Sequence, residues 1–352
     1  MERTALDLTL PLSPSRMVYR WDLDKTYLRT EFDTFKDLLS RAFERPNQKR
    51  TVPGAAALLR ELQATAPAGI YILSGSPEQM RRVLEAKLRL DGVRWDGFVL
   101  KPSLRNLLRG HFRFLRDQVG YKLGVLLSSR ESLAPDLIEI LFGDDAETDA
   151  FNYSLYADLC AGRVDAHVLR RVLSRAAVSE EDAEHLVELA TRLPQREVCA
   201  RIFIHLDRMS ALDAFAPYGT RVCPFYNYFQ AAVALLEMGA IEAGAALRVA
   251  ADLVIDQGFT PEALTASYLE LARRGHVGAL PSHQLAETLA MAPAHAYATA
   301  TPILHAFVED ITRASLSETA PAIDVGLVDY EAALASERAR ARAAKLRVLR
   351  RA

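Results

Sequence analysis

The sequence predicts an α/β fold with a doubly wound parallel sheet, followed by an all-α helical C-terminal domain. Three observations carry this. Over residues 17–164, short apolar runs alternate with amphipathic segments of helical spacing, the pattern of βαβ units. The runs end in hydroxyls or carboxylates, at the sheet edge where open α/β folds bind ligands. From Arg163 onward the character changes, and Ala- and Leu-rich segments with helical spacing replace strand-like runs.

Residues 1–16 read as a lead-in, with Pro11 and Pro14 blocking regular structure. The first strand, Val18-Tyr19-Arg20-Trp21, runs into Asp22-Leu23-Asp24-Lys25-Thr26. Two carboxylates this close repel, and each pKa rises unless a cation or donors offset the repulsion. A bound Mg2+ is the simplest explanation, since it accepts few protein carboxylates and keeps room for water and phosphate. Aromatic and leucine residues from Tyr27 to Phe43 suggest a flap and a helix beside the site, and Tyr27 to Lys49 is the segment available for a small cap.

Thr51-Val52-Pro53-Gly54 opens a helix, and Gly69 to Leu73 forms a second strand ending at Ser74-Gly75-Ser76-Pro77. Ser76 with Pro77 reads as a helix cap, aiming backbone N–H groups past the strand. Gly97 to Leu100 is a third strand. A mostly helical stretch from Leu104 to Ser128 carries Lys122. Leu137 to Phe142 is a fourth strand that stops at Gly143-Asp144-Asp145-Ala146-Glu147-Thr148-Asp149, again placing carboxylates at a strand end. Beyond, helices are expected over 165–177, 180–193, 196–209, 226–238, 243–255, 261–274, 283–291 and 306–314. Ser179 with Asp182, and Thr260 before Pro261, mark two starts.

The chain has 352 residues, 50% hydrophobic and 25% charged, enough for a large core and more than one domain. No signal peptide or membrane-length apolar run is seen, so a cytoplasmic location is expected. Cys160, Cys199 and Cys223 are widely spaced and odd in number, which favours buried thiols over a disulfide framework or a zinc site. Net charge is −2, yet Arg338 to Ala352 holds six Arg and one Lys with no acid, leaving −9 on the remainder. A nucleic-acid role would rest on that tail alone. The tail reads as a basic helix that contacts anionic lipid or RNA, or as a solvated end.

In order, Asp22 and Asp24, Ser74, Lys122, and Asp144, Asp145 and Asp149 lie 52, 48 and 22 residues apart. This series resembles the four motifs of the haloacid-dehalogenase-like (HAD) phosphatases. The flanking residues are similar to the phosphatidate phosphatase catalytic family first associated with actin patches. They are Val52-Pro53-Gly54, Ser74-Gly75-Ser76-Pro77, Tyr121-Lys122, the 143–149 cluster and Tyr156. Lys25, Gly75 and Tyr121 depart from that family's acid, Asn and His.

The resemblance implies an HAD-like sheet with a small cap and a Mg2+-dependent phosphomonoester hydrolase. Asp22 would be the nucleophile, forming an aspartyl-phosphate, and Asp24 the general acid and then base. Ser74 and Gly75 would hold phosphoryl oxygens, with Lys122 offsetting their charge and Lys101 its rival for that role. Asp22, Asp24 and Asp144 would hold the metal, with Asp149 beside them and Asp145 the rival to either. The substrate implied is phosphatidate, giving diacylglycerol; the alternatives are a soluble phosphate ester or a non-catalytic protein whose helical domain binds a partner. Expected divisions are 17–164 for the phosphatase domain, 165–335 for the helical domain and 336–352 for the tail.

Overall fold

In the computed structural model, which describes residues 12–29, 50–101, 114–293 and 295–349, six strands form one parallel sheet. They are β1 (Met17–Asp22), β2 (Gly69–Pro77), β3 (Gly97–Lys101), β4 (Ile138–Asp144), β5 (Cys199–His205) and β6 (Val222–Phe225). Their order is β3-β2-β1-β4-β5-β6. Every residue of β1, β4 and β5 is buried, as expected of central strands covered on both faces.

Tyr19, Trp21, Ile72, Phe142 and Phe203 pack on one face with helices α1 (Ala55–Ala64) and α2 (Arg81–Leu90). The same core includes α7 (Tyr228–Glu237), α8 (Ala243–Gln257), α9 (Pro261–Arg273), α10 (Leu280–Met291) and α11 (Thr301–Thr312). Leu73, Leu141, Ile202 and Ile204 pack on the other. There they meet α3 (Phe114–Glu131), α4 (Asp149–Cys160), α5 (Ala166–Arg175), α6 (Glu180–Arg192) and the start of α12 (Tyr330–Leu349). The α/β class, the parallel sheet and a helical C-terminal part are therefore present.

One expectation is corrected. The span 196–209 was expected to be helical, and the part after Arg163 to lack strands; instead β5 and β6 extend the sheet beyond β4, with α5 and α6 before them and α7 to α12 after. A strand covered on both faces presents a nearly continuous apolar run, here Cys199-Ala200-Arg201-Ile202-Phe203-Ile204, without the alternation that separates strand from buried helix. The other expected helices after residue 165 occur within a few residues of their places. Ser179 accepts from the Asp182 N–H at 3.2 Å, and Thr260 from the Ala263 N–H at 3.3 Å.

Glu139 and Asp158 each gather buried partners in the core. Arg20 binds Glu139 through Nε and Nη2 at 2.9 and 3.1 Å, and Arg130 and the Tyr156 hydroxyl complete the Glu139 shell at 3.2 and 2.8 Å. Asp158 joins Arg221 of the loop before β6, at 2.8 Å, to the hydroxyl of Tyr330, fixing the start of α12 on α4. The expected flap and cap fall mostly on residues 30–49, outside the described residues. Their two stems are tied together: the Arg29 N–H donates to the Arg50 carbonyl at 2.9 Å and Val52 N–H to Tyr27 at 2.8 Å.

Candidate active site

Strand β1 is the point where the winding reverses, with β2 and β3 to one side and β4, β5 and β6 to the other. The crevice outside its carboxyl end is where such sheets bind ligands. Asp22 is the last residue of β1 and is fully buried. The Leu23 N–H still reaches the Leu73 carbonyl of β2 at 3.0 Å, and the chain then turns sharply. Lys25 sits at φ 58°, a left-handed conformation that costs a non-glycine residue about 1 kcal/mol. Bonds from Lys25 N–H to Leu28 O at 2.8 Å and from Tyr27 and Leu28 N–H to Leu23 O at 3.0 and 2.8 Å hold it there.

This turn aims Asp24 at two serines. The Ser74 hydroxyl donates to Asp24 Oδ2 at 2.8 Å and the Ser76 hydroxyl to the same oxygen at 3.0 Å, while the Ser76 N–H donates to Ser74 Oγ at 3.0 Å. The reading of Ser76 as a helix cap is thus corrected. Strand β2 runs on to Pro77 with a register shift between Ser74 and Pro77, a 3-10 turn spans Glu78–Met80, and α2 starts only at Arg81 without a side-chain cap. Gly75 lies in that irregular stretch, where a β-carbon would meet only Glu147 Oε1, at 3.9 Å.

Helix α3 delivers Lys122 into the crevice. Its ammonium lies 3.0 Å from Asp22 Oδ1 and 2.7 Å from Glu147 Oε2, and it also pairs with Asp149. Asp149, the first residue of α4, folds back across the end of β4. A β-carbon on Gly143 would come within 2.6 Å of the Asp149 β-carbon, so only glycine admits this approach. Asp144 Oδ1 accepts the N–H groups of Ala146 and Glu147 at 2.7 and 3.0 Å, and Thr26 donates to its Oδ2 at 3.3 Å.

Of the two rivals, Asp145 is placed elsewhere, while Lys101 stays close enough to Glu147 for its charge to lower that carboxyl. Asp145 turns away and accepts the N–H groups of Arg208 and Ser210 at 2.7 and 2.8 Å, stitching the loop after β5. Lys101 lies over the Tyr121 ring, 5.7 Å from its centroid. Trp21 stacks on Phe142 at 3.9 Å, and the buried Tyr27 donates to Asp91 at 2.6 Å, so both pack rather than face the crevice.

Burial raises the pKa of Asp22 well above the carboxylate range, Lys122 opposing it and Asp149 adding to it. Burial likewise raises Asp144 well above that range and pushes Asp149 up to about 6. Asp24 is raised by burial and by Glu147, while its serine partners act the other way. Burial works against the Lys122 ammonium, yet Asp149, Asp22 and Glu147 together hold it protonated above the usual lysine range. The carboxylates thus outnumber the one buried cation they surround.

Asp22, Asp144 and Asp149 each offer a carboxylate oxygen within 4.8 Å of the others, all buried. Asp22 Oδ2 is buried with no hydrogen-bond partner among the described residues. An orphaned anionic oxygen beside hard oxygen donors fits a divalent cation such as Mg2+.

Sequence reasoning missed four members of this site. Ser76 was masked by its resemblance to a cap, and Glu147 was one acid among several in the 143–149 cluster. His205, whose Nδ1 meets the Lys25 carbonyl at 3.0 Å, and Tyr228, whose hydroxyl donates to the Thr26 carbonyl, lie 180 and 202 residues from their partners. Only the tertiary fold brings them in; the one available signal was that His205 and Asp207 end an apolar run.

No helix among the described residues is long and apolar enough to cross a membrane. No curated protein and no solved structure matches the chain. Residues 21–171, which contain every group that Asp22, Asp24 and Lys122 bond through their side chains, match the model of the family described as phosphatidate phosphatase APP1, catalytic domain.

Proposed function

We propose that the chain is a HAD-type, Mg2+-dependent phosphomonoester hydrolase that works through an aspartyl-phosphate, with phosphatidate as the substrate class. The observation that carries this is the convergence at one strand end of a buried Asp22 with a free oxygen, a Lys122 ammonium 3.0 Å from its other oxygen, and an Asp24 held by two serines.

Asp22 attacks phosphorus as the P–O bond to the leaving alcohol breaks, and Asp24, protonated, gives its proton to the departing oxygen. Asp24, now a carboxylate, takes a proton from water, which attacks the phosphorus of the aspartyl-phosphate and frees phosphate and Asp22. The raised pKa of Asp24 suits the first step, and the serine hydroxyls, which favour its anion, suit the second. Ser74 and Gly75 border the place where phosphoryl oxygens would lie, and Lys122 offsets the charge on Asp22 and phosphate. Asp22, Asp144, Asp149 and the Asp24 backbone would hold Mg2+, which supplies charge neutralisation at the phosphoryl group.

The lipid substrate rests on the family described above and on the basic tail. Helix α12 starts at Tyr330 beside Asp158, near the end of α4, and continues past Glu337, whose carboxyl feels Asp149 at the start of α4. It therefore runs antiparallel to α4, toward the site edge of the sheet. The sequence beyond Glu337 is basic, suited to a peripheral contact with an anionic bilayer.

The deciding experiment measures phosphate release with Mg2+ from phosphatidate in mixed micelles, sugar phosphates, nucleotides and p-nitrophenyl phosphate, beside Asp22→Asn. Release that vanishes with EDTA and in the variant supports the mechanism, and preference for the lipid supports the substrate. Preference for a soluble ester moves the assignment to that class. Silence from folded, Mg2+-binding protein favours a non-catalytic partner-binding role.

A further inference from the structure

The loop that carries Asp22, Asp24 and Thr26 is held by residues far outside the matched segment 21–171. His205, at the carboxyl end of β5, faces the Lys25 carbonyl with Nδ1 at 3.0 Å; a carbonyl only accepts, so the ring proton sits on Nδ1. Tyr228, the first residue of α7, donates its hydroxyl to the next carbonyl, that of Thr26. The two rings stack, with centroids 5.8 Å apart, on a layer that also holds Phe225 and Trp21.

Both groups are locked from below. Asn227 caps α7 by accepting the Gln230 N–H at 3.2 Å, and Gly54, at φ 80°, packs so closely that a β-carbon there would lie 2.9 Å from the Tyr228 β-carbon. The Asp144 N–H donates to Asp149 Oδ2 at 3.2 Å, and β4 pairs Asp144 directly with His205. Adjacent carbonyls of one turn are therefore fixed by two rigid aromatic donors, while Lys25 between Asp24 and Thr26 sits in a left-handed conformation that isolated chains avoid.

We propose that His205 and Tyr228 are positioning residues for the reaction: they hold the Asp24-Lys25-Thr26 backbone so that Asp24 meets Ser74 and Ser76, and Thr26 meets Asp144. The proposal rests on the phosphatase function above. It makes the second half of the chain a part of the site rather than an appendage, although neither residue touches the reacting atoms.

The test uses the full chain and four variants: His205→Phe, which keeps ring packing but no donor; His205→Asn, whose amide can replace Nδ1–H; Tyr228→Phe; and Asp22→Asn as the inactive control. With p-nitrophenyl phosphate and Mg2+, His205→Phe and Tyr228→Phe should lower kcat about 10-fold with KM within about two-fold, since small displacements of reacting groups are costly. His205→Asn should recover most of the loss. Calorimetric titration with Mg2+ gives a readout that needs no turnover: affinity should fall several-fold in both donorless variants and recover in His205→Asn. Unchanged kcat and Mg2+ affinity in His205→Phe and Tyr228→Phe overturn the proposal, as does a His205→Asn as slow as His205→Phe. Wild-type protein that binds Mg2+ but releases no phosphate from p-nitrophenyl phosphate, phosphatidate or the other esters overturns the proposed function instead, and the calorimetry then decides on the loop.

Discussion

The Lys122 ammonium stands 3.0 Å from Asp22 Oδ1 and pairs with Asp149, so one buried cation on a helix serves carboxylates at the ends of two adjacent strands. The arrangement is set for charge to change hands, with more anions than cations and with Asp22, Asp144, Asp149 and Lys122 all buried. Removing the Asp22 charge therefore affects function and stability in opposite senses. Asp22→Asn should lower phosphate release by on the order of 10³-fold or more, while the metal-free melting temperature stays level or rises, because burial disfavours the Asp22 carboxylate. Differential scanning calorimetry in EDTA, beside the phosphate assay, checks both.

The serine pair on Asp24 predicts a shift in a pH profile. Hydrogen bonds to a carboxylate lower its pKa, so Ser76→Ala should raise that of Asp24 and move the alkaline limb of kcat, where the acid has lost its proton, to higher pH. Ser74→Ala should do the same and also lower kcat by about 10²-fold if its hydroxyl serves phosphoryl oxygen. Rate against pH for both variants is the measurement. An unmoved limb would remove Asp24 from the role of acid.

Asp144 and Asp145 are neighbours with different work to do. Asp144→Ala should abolish Mg2+ binding in a calorimetric titration. Asp145→Ala should leave it within a few-fold and instead cost about 1–2 kcal/mol of stability, as the Arg208 and Ser210 N–H groups lose their acceptor. Urea melts of the two variants separate these outcomes.

Glu337 offers a pH effect on stability from a residue of α12 whose carboxyl also feels Asp149. Burial pushes its carboxyl up to about 7, Arg340 acting against that shift. A carboxyl whose folded pKa is raised costs the folded state once it ionises, so this contribution declines as pH rises from about 4.5 through about 7. Glu337→Gln should raise the melting temperature at pH 8 by about 2 °C, with little effect at pH 5. Parallel melts at the two pH values test the sign.

How much of this was legible in the chain depends on where its information lies. Asp22, Asp24, Ser74 and Asp144 could be read because acids and hydroxyls at the end of apolar runs conflict with the runs' own chemistry. Asp144 and Asp145 could not be told apart, since they differ only in direction, set by a loop 63 residues later. Lys122 lay in a helix whose other positions gave no sign of the face it presents. Strand β5 escaped because burial on both faces erases alternation. Ser76 escaped because Ser-Pro before a helical segment is a good cap pattern, and only the extension of β2 to Pro77 cancels it.

The continuity of the sheet has a practical consequence. Strand β4 pairs with β1 on one side, from Ile138 to Phe142, and with β5 on the other, from Glu139 to Asp144. A fragment cut after residue 171, at the limit of the matched segment, would strip β5 away and leave β4 with a row of unpaired N–H and C=O groups flanked by Ile140, Leu141 and Phe142. Such an edge recruits other chains. The excised piece should aggregate rather than behave as a smaller enzyme, and any shortening of this protein has to keep Phe225, where the last strand ends.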